Sequence, residues 1–506
     1  MIGPIFARIM STQNTTSPSS IYRQQNEQIR ILFNQADSPR KVLCIALDYA
    51  KHKHVALICD GNGEILKKAF PVINSVEGLA FLIEQVSATA RRRSIPKTQI
   101  FFGGEDEPSY VSNFLSGLRA SGYLVVRVNA GHAKANRENS LASTDALDLI
   151  GIAKTLISRR ARLVVDQGAV LDGALIQMRD LTRARRSMVR QKTAASNRIH
   201  SLVDRLLPGF LEDSKSGIGP FTEASLALMK ERFSAPEIAR RHHPSLTAML
   251  RRHRIRHPEA AAGKLIILAR EALPPDPSRV ASQQESLRAA VELYECLERN
   301  SKAHTREAAI LLAQTPYAML TSLRGIGFVL AAGTGSELGD PAKLGSTDAL
   351  CGYAGIVPRV WQSGGPDKAP VTGPTSRRCN RVLKDWAVQG AQKMALYGPP
   401  EIKERFARWK AAGQHAAFAG ARRYLRLTRG LVRDQIPYLN PQARRANASQ
   451  EEIAAACEET FEVMVAKWRL LPDWQRIAFA EDRPLGFWRR LAIETHGAHL
   501  PLPDES

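Results

Sequence analysis

The apolar positions begin in earnest at Lys41. Before it, residues 1–38 are polar and carry few apolar side chains, a pattern that predicts a loose tail. KVLCIALDYA then runs apolar from Val42 to Leu47 and ends in a carboxylate, Asp48, the pattern of a strand. HVALICD follows, then the turn Gly61-Asn62-Gly63, then EILKKAFPV, so three strands in an antiparallel meander are expected. SVEGLAFLIEQVSATARRR has helical periodicity. TQIFFGG reads as a fourth strand with Glu105 just past its end, PSYVSNFLSGLRASG as a helix stopped at Gly122, and YLVVRVN as a fifth strand. ASTDALDLIGIAKTLISRR is a helix capped by Ser143 or Thr144. The order β-β-β-α-β-α-β-α predicts an α/β domain of the RNase H-like (RuvC-like) kind over residues 39–165.

Beyond it the periodicity turns helical. In residues 171–207, Met178, Leu181, Met188, Ala195, Ile199, Leu202 and Leu206 fit heptad positions, with Arg185 and Lys192 on the same seam. A coiled-coil-like linker over 166–314 is expected, formed as a helical pair or a dimer contact. Its other faces carry Arg179, Arg183, Arg186, Arg190, Arg198 and Arg205, and a second basic cluster follows at RRHHPSLTAMLRRHRIRHP. The histidines there have no cysteine or carboxylate at ligand spacing, so the cluster reads as a basic surface and not a zinc site. Over 315–440, LTSLRGIGFVLAAGTGSELGD predicts two apolar helices around a Gly-Ile-Gly turn, a helix-hairpin-helix. A Gly/Ser/Pro-rich stretch and the helix VLKDWAVQGAQKMA come next, and 441–506 reads as a helical extension. The fold class is thus α/β plus α.

Composition narrows the function. The 506 residues include 71 Lys and Arg against 49 Asp and Glu, a net charge of +22, with 44% hydrophobic residues. The chain can bury real cores, and its charge makes nucleic acid the expected partner. No apolar run approaches the ~20 residues of a membrane span, and the N-terminus lacks the features of a signal peptide. Six scattered cysteines without a CxxC pair suit a reducing, cytoplasmic compartment.

Four acids carry the candidate chemistry. Asp48 ends the first strand, Glu105 follows the fourth, and Asp145 and Asp148 share one face of a helix opening. In an RNase H-like sheet these positions converge. Gathered carboxylates repel unless cations neutralise them, and hard oxygen ligands select Mg²⁺ or Mn²⁺. Asp106 and Glu107 compete with Glu105 for the second position, and each acid alone could be a cap or a solvated charge.

These stretches resemble a known family: insertion-sequence transposases with a DEDD catalytic domain, related to Piv-type DNA invertases and guided by a structured bridge RNA. IALDYAKHKHVALICDGNGEIL, GGEDEPSY and STDALDLIGIAKTL are similar to its first domain. LRGIGFVLAAGTGSELGDPAKLGSTDALCGYAGIVPRVWQSGG and SRRCNRVLKDW resemble its second. The chain has Ser143 where relatives usually have Lys, and Cys379-Asn380 where they have Gly-Asn.

The resemblance implies metal-assisted cutting and rejoining of donor and target DNA by a homodimer or tetramer, in a bacterial cytoplasm. It also implies that Ser363, in Gln-Ser-Gly-Gly, is the nucleophile, with Ser376 as competitor. An unactivated hydroxyl is a poor nucleophile and needs such help. Arg324, Gly325 and Gly327 of the hairpin and Arg377, Arg378, Arg381 and Lys384 suit phosphate contacts, as do Arg186 and Arg190. Alternatives are a metal-dependent junction nuclease in which water attacks, a site-specific invertase, and a nucleic-acid-binding relative without catalysis.

Overall fold

The computed structural model describes residues 26–105, 111–137, 144–159, 162–163, 170–341, 344–361, 371–375, 379–413, 416–434, 437–439 and 449–472. The chain divides into two units, residues 1–169 and 170–506.

The first unit opens with helix α1 (Glu27–Gln35), capped by the Asn26 side chain, which accepts from the Ile29 amide at 3.0 Å. The expectation of a loose tail to residue 38 is corrected here. Ile29, Leu32 and Phe33 repeat at helical spacing and are buried against the sheet, so this segment contributes to the core. Strands β1 (Leu43–Asp48), β2 (Lys53–Asp60) and β3 (Ile65–Ile73) form the expected antiparallel meander. Asp60 fixes the turn between β2 and β3 by accepting from the amides of Asn62 and Glu64, both at 2.9 Å.

Helix α2 (Val76–Arg93), strand β4 (Ile100–Glu105), helix α3 (Ser112–Ala120), strand β5 (Leu124–Val128) and helices α4 (Ala130–Ala135) and α5 (Asp145–Ile157) follow, then a two-residue strand β6 (Arg162–Leu163). The sheet order is β3-β2-β1-β4-β5-β6, with β1, β4 and β5 parallel to one another and the other pairings antiparallel. The short α4 and β6 add to the expected order.

Side chains of β1 alternate between two cores, as the pleat requires. Leu43, Ile45 and Leu47 pack with α2 and α3 through Leu82, Val86, Phe114 and Leu118. Val42, Cys44 and Ala46 pack with α1 and α5 through Ile29, Phe33, Leu149, Ile152 and Leu156. The sheet is therefore covered on both faces by helices, and its β1 and β4 ends can present charged groups only at the strand termini.

The second unit begins with α6 (Val170–Leu206), which pairs with α12 (Pro277–Ala313). Each has 37 residues, about 55 Å at 1.5 Å per residue. The heptad seam forms within the chain: Met178, Ala195, Ile199, Leu202 and Leu206 are buried. Its two polar positions meet polar partners on α12. Arg185 Nε donates to Thr305 Oγ1 at 2.8 Å and Lys192 Nζ to Glu298 Oε2 at 2.6 Å. As numbers rise on α6 they fall on α12, so the pair is antiparallel.

Between them lie α7 (Asp213–Ser216), α8 (Glu223–Lys230), α9 (Ala235–Ala239), α10 (His243–Arg252) and α11 (Pro258–Glu271), and α8 to α11 share one hydrophobic core with the adjoining ends of α6 and α12. We refer to this bundle as the cap.

After α12 comes a 3-10 segment (Pro316–Ser322), then α13 (Phe328–Leu338), α14 (Thr347–Ala354), a hairpin of β7 (Pro358–Trp361) and β8 (Val371–Thr375), α15 (Arg381–Tyr397), α16 (Pro400–Ala411), α17 (Ala416–Asp434) and α18 (Gln450–Arg469). The first arm of the expected helix-hairpin-helix is thus a 3-10 segment and not an α-helix. Pro316 enters it at its start, and Leu323 ends it in extended geometry. Helix α18 docks through Trp468, whose Nε1 donates to the Ala309 carbonyl at 3.0 Å. Among the described residues, no helix is long and apolar enough to cross a membrane.

Candidate active site

Two arrangements concentrate charge. The first lies in the α/β unit. In the parallel pairing of β1 with β4, Leu47 stands opposite Gly104, so Asp48 and Glu105 follow side by side where both strands end. Helix α5 packs on β1 and opens with Asp145 and Asp148. Thr144 caps it, its hydroxyl accepting from the Leu147 amide at 3.4 Å.

Asp48 lies within electrostatic reach of Asp145 and Asp148. Burial pushes its carboxyl above the ordinary aspartate value, and the charges of Asp145 and Asp148 push it further; a backbone hydrogen bond from Tyr49 and the Arg137 cation oppose them. Arg137, just beyond α4, makes an ion pair with Asp148. It is only 12% exposed, so a cation already sits on one side of the cluster. Glu105 is placed by strand register; the groups that shift Asp48 do not include it. Among the described residues, no three His, Cys, Asp or Glu side chains stand close enough to share one ion.

The four acids offer only carboxylate oxygens, the donor type that a hard divalent cation takes, and Arg137 places a cation beside Asp148. Asp106, Glu107 and Ser143 lie outside the described residues.

Two glycines before Glu105 allow this assembly. A Cβ on Gly104 would lie 2.4 Å from the Tyr49 ring, and one on Gly103 would lie 2.4 Å from Leu156 Cδ2 and 3.0 Å from Val126 Cγ2. Gly103 thereby lets α5 settle on the sheet with its acids at the strand ends. Gly103→Ala is expected to cost about 1–3 kcal/mol through overpacking, read as a lower melting temperature. An unchanged melt would mean that Leu156 turns aside freely.

The second arrangement joins α6, α13 and α15. Arg183 donates from Nε and Nη2 to Glu337 Oε1 and Oε2 at 2.7 and 2.9 Å. Asn380 Nδ2 donates to Glu337 Oε2 at 2.8 Å and to Tyr353 Oη at 3.1 Å. Asn380 also caps α15, accepting from the Leu383 amide at 3.0 Å. Arg179 Nε donates to the Ser336 carbonyl at 2.8 Å. Sequence reasoning named none of Arg137, Tyr353, Glu337 and Asn380 as site residues. Glu337 did leave a signal: it is the lone charged residue in FVLAAGTGSEL.

The remaining expected contacts are spread unevenly. Arg324 and Gly327 are exposed, and a Cβ at Gly327 would meet nothing within 4 Å. Gly325 instead has φ +93°, and a Cβ there would lie 2.8 Å from the Lys393 carbonyl; packing on α15 accounts for this glycine. Arg186 is not a free cation on a solvated face, because it pairs with Asp385. Arg190 and Arg381 are exposed, and Lys384 lies 5.0 Å from the centroid of the Phe418 ring. Ser363, Ser376, Arg377 and Arg378 lie outside the described residues; Trp361, two residues before Ser363, pairs with Val371.

A doubly covered α/β sheet with acids at its strand ends, followed by a helical unit in a basic chain, defines a class that comparison with known families identifies as DNA transposases. A transposase model built on the DEDD domain of IS110 elements matches residues 45–208, and the model Transposase IS116/IS110/IS902 family matches residues 317–421. Together they span more than half of the chain, which belongs to the IS110 family of transposases and is an enzyme, a DNA transposase/recombinase. A comparison with curated proteins finds no match.

Proposed function

We propose that the chain cuts and rejoins donor and target DNA strands by metal-assisted phosphoryl transfer with Ser363 as nucleophile, in a homodimer or tetramer directed by a structured guide RNA. The observation that carries the metal-assisted reading is the negative charge that Asp145 and Asp148 bring to bear on half-buried Asp48 at the end of β1. Asp48, Glu105, Asp145 and Asp148 would hold Mg²⁺ or Mn²⁺, and Arg137 would hold Asp148 in place until then. A cation held by these residues would supply charge neutralisation at the transferring phosphate. The Ser363 hydroxyl gives up its proton and bonds to phosphorus, and the 3′ oxygen leaves as a hydroxyl. A 5′-phosphoserine results, and attack by a new 3′ hydroxyl restores the serine. Arg324, Gly327, Arg190, Arg381 and Lys384, with Arg377 and Arg378, would contact phosphates through charge or backbone amides.

The test is to quench a reaction of the full chain, guide RNA and DNA with denaturant and to look for a protein–DNA adduct. The expected result is an adduct that needs Mg²⁺ and whose phosphate maps to Ser363. A phosphate on Ser376 would move the nucleophile. Cleavage without any adduct would favour attack by water, as in a junction nuclease.

A further inference from the structure

Between Ile238 and Pro258 the chain holds six arginines, four histidines and no acidic residue. The proposed chemistry uses none of them. In the cap, acids from neighbouring segments neutralise only part of this charge: Arg241 pairs with Glu231 and Arg251 with Glu259, and His253 Nδ1 lies 3.3 Å from Glu223 Oε1. Arg240, Arg252, Arg254 and Arg256 are exposed, and among the described residues no ion pair or side-chain hydrogen bond engages them.

Their placement is specific. Arg232, Arg240 and Arg241 line one cleft with Glu231 and Glu237. Arg252, Arg254 and Arg256 follow one another at the turn between α10 and α11. Leu246, Thr247 and Leu250 bury the other side of α10, so the turn arginines are left to solvent. Arg254 adopts φ +58°, where glycine is the residue without steric cost. An arginine at a position that disfavours it, beside two other exposed arginines, points to a use for its charge.

We propose that this turn is a second docking site for duplex DNA, gripping its phosphate backbone. DNA is the substrate class of the family, and three neighbouring exposed arginines match the closely spaced phosphates of a duplex backbone. The inference rests on the family assignment and not on the serine or the metal.

The test measures binding of the full chain to a mixed-sequence duplex of about 30 bp, three helical turns, and to an RNA hairpin of matched length. Salt is varied from about 50 to 200 mM. The variant combines Arg252→Ala, Arg254→Gly and Arg256→Ala. The expected result is a salt slope on DNA shallower by about 2 to 3, with RNA binding unchanged. An unchanged DNA slope overturns the proposal. A loss confined to RNA also overturns it and assigns the surface to RNA. If the triple variant fails to fold, Arg254→Gly alone relieves the strained backbone; it should melt no lower than wild type and lower the DNA slope by about 1. The same measurements in an Asp48→Asn background read binding without cleavage, so failure of the catalytic reading leaves this result standing.

Discussion

Asp48→Asn is expected to abolish metal-dependent strand cleavage without lowering the melting temperature of the metal-free chain. The two outcomes have one cause. Asparagine keeps the shape of the side chain and removes its charge. In the metal-free protein that charge is a burden, because burial and the neighbouring charges of Asp145 and Asp148 disfavour it. Removing it relieves repulsion at the end of β1, so stability holds or rises. On the proposed mechanism the same charge would help to hold the cation beside the phosphate. Its loss is expected to lower cleavage by about 10³-fold or more, some 4 kcal/mol of barrier. The checks are a cleavage time course with Mg²⁺ and a thermal melt in chelator. Retained cleavage would remove Asp48 from the chemistry. Lost cleavage with a collapsed melt would make the residue structural.

Much of the α/β unit was legible because its strands carry unbroken apolar runs. VLCIAL and IFFGG can be little else once both sheet faces are covered. The places of the acids were legible because their positions in the chain, strand end and helix opening, are also positions in the fold. The heptad seam of α6 was read correctly even at Arg185 and Lys192, although the sequence of α6 alone could not reveal that Thr305 and Glu298 wait opposite them.

What escaped has physical reasons. Helix α1 is nine residues long, and its three core side chains are diluted by polar neighbours. Strands β7 and β8 sit in a Pro- and Gly-rich stretch that reads as loop; Pro358 is tolerated because it is the first residue of its strand. The 3-10 geometry before the hairpin leaves no periodic signature in seven residues. Arg137 and Arg183 were invisible as partners of Asp148 and Glu337 because these are tertiary relations.

That last relation yields the second large expected effect, an asymmetry. Arg183→Ala is expected to destabilise the helical unit by about 3 kcal/mol, and Glu337→Gln by about 1 kcal/mol. The side chain of Glu337 is 1% exposed and that of Arg183 is 52% exposed. Removing the arginine strands a buried carboxylate with Asn380 as its remaining side-chain hydrogen-bond donor. Removing the carboxylate's charge frees a guanidinium that can turn to water, and glutamine still offers Arg183 one acceptor. The figure for Arg183→Ala sits at the low end of the range for buried pairs because solvent screens the exposed side.

Acid should erase the difference. Burial raises the Glu337 carboxyl, but the hydrogen bonds from Arg183 and Asn380 and the Arg183 charge outweigh it and hold the group below the ordinary glutamate value. The pair therefore stabilises fully above that ordinary value and loses its contribution as pH falls through the lower, folded one. Hydrogen exchange of α13 and α15 at neutral and acidic pH would read both effects separately from the α/β unit. Equal costs for the two variants, or a gap that widens in acid, would mean that Glu337 is held by packing and not by charge.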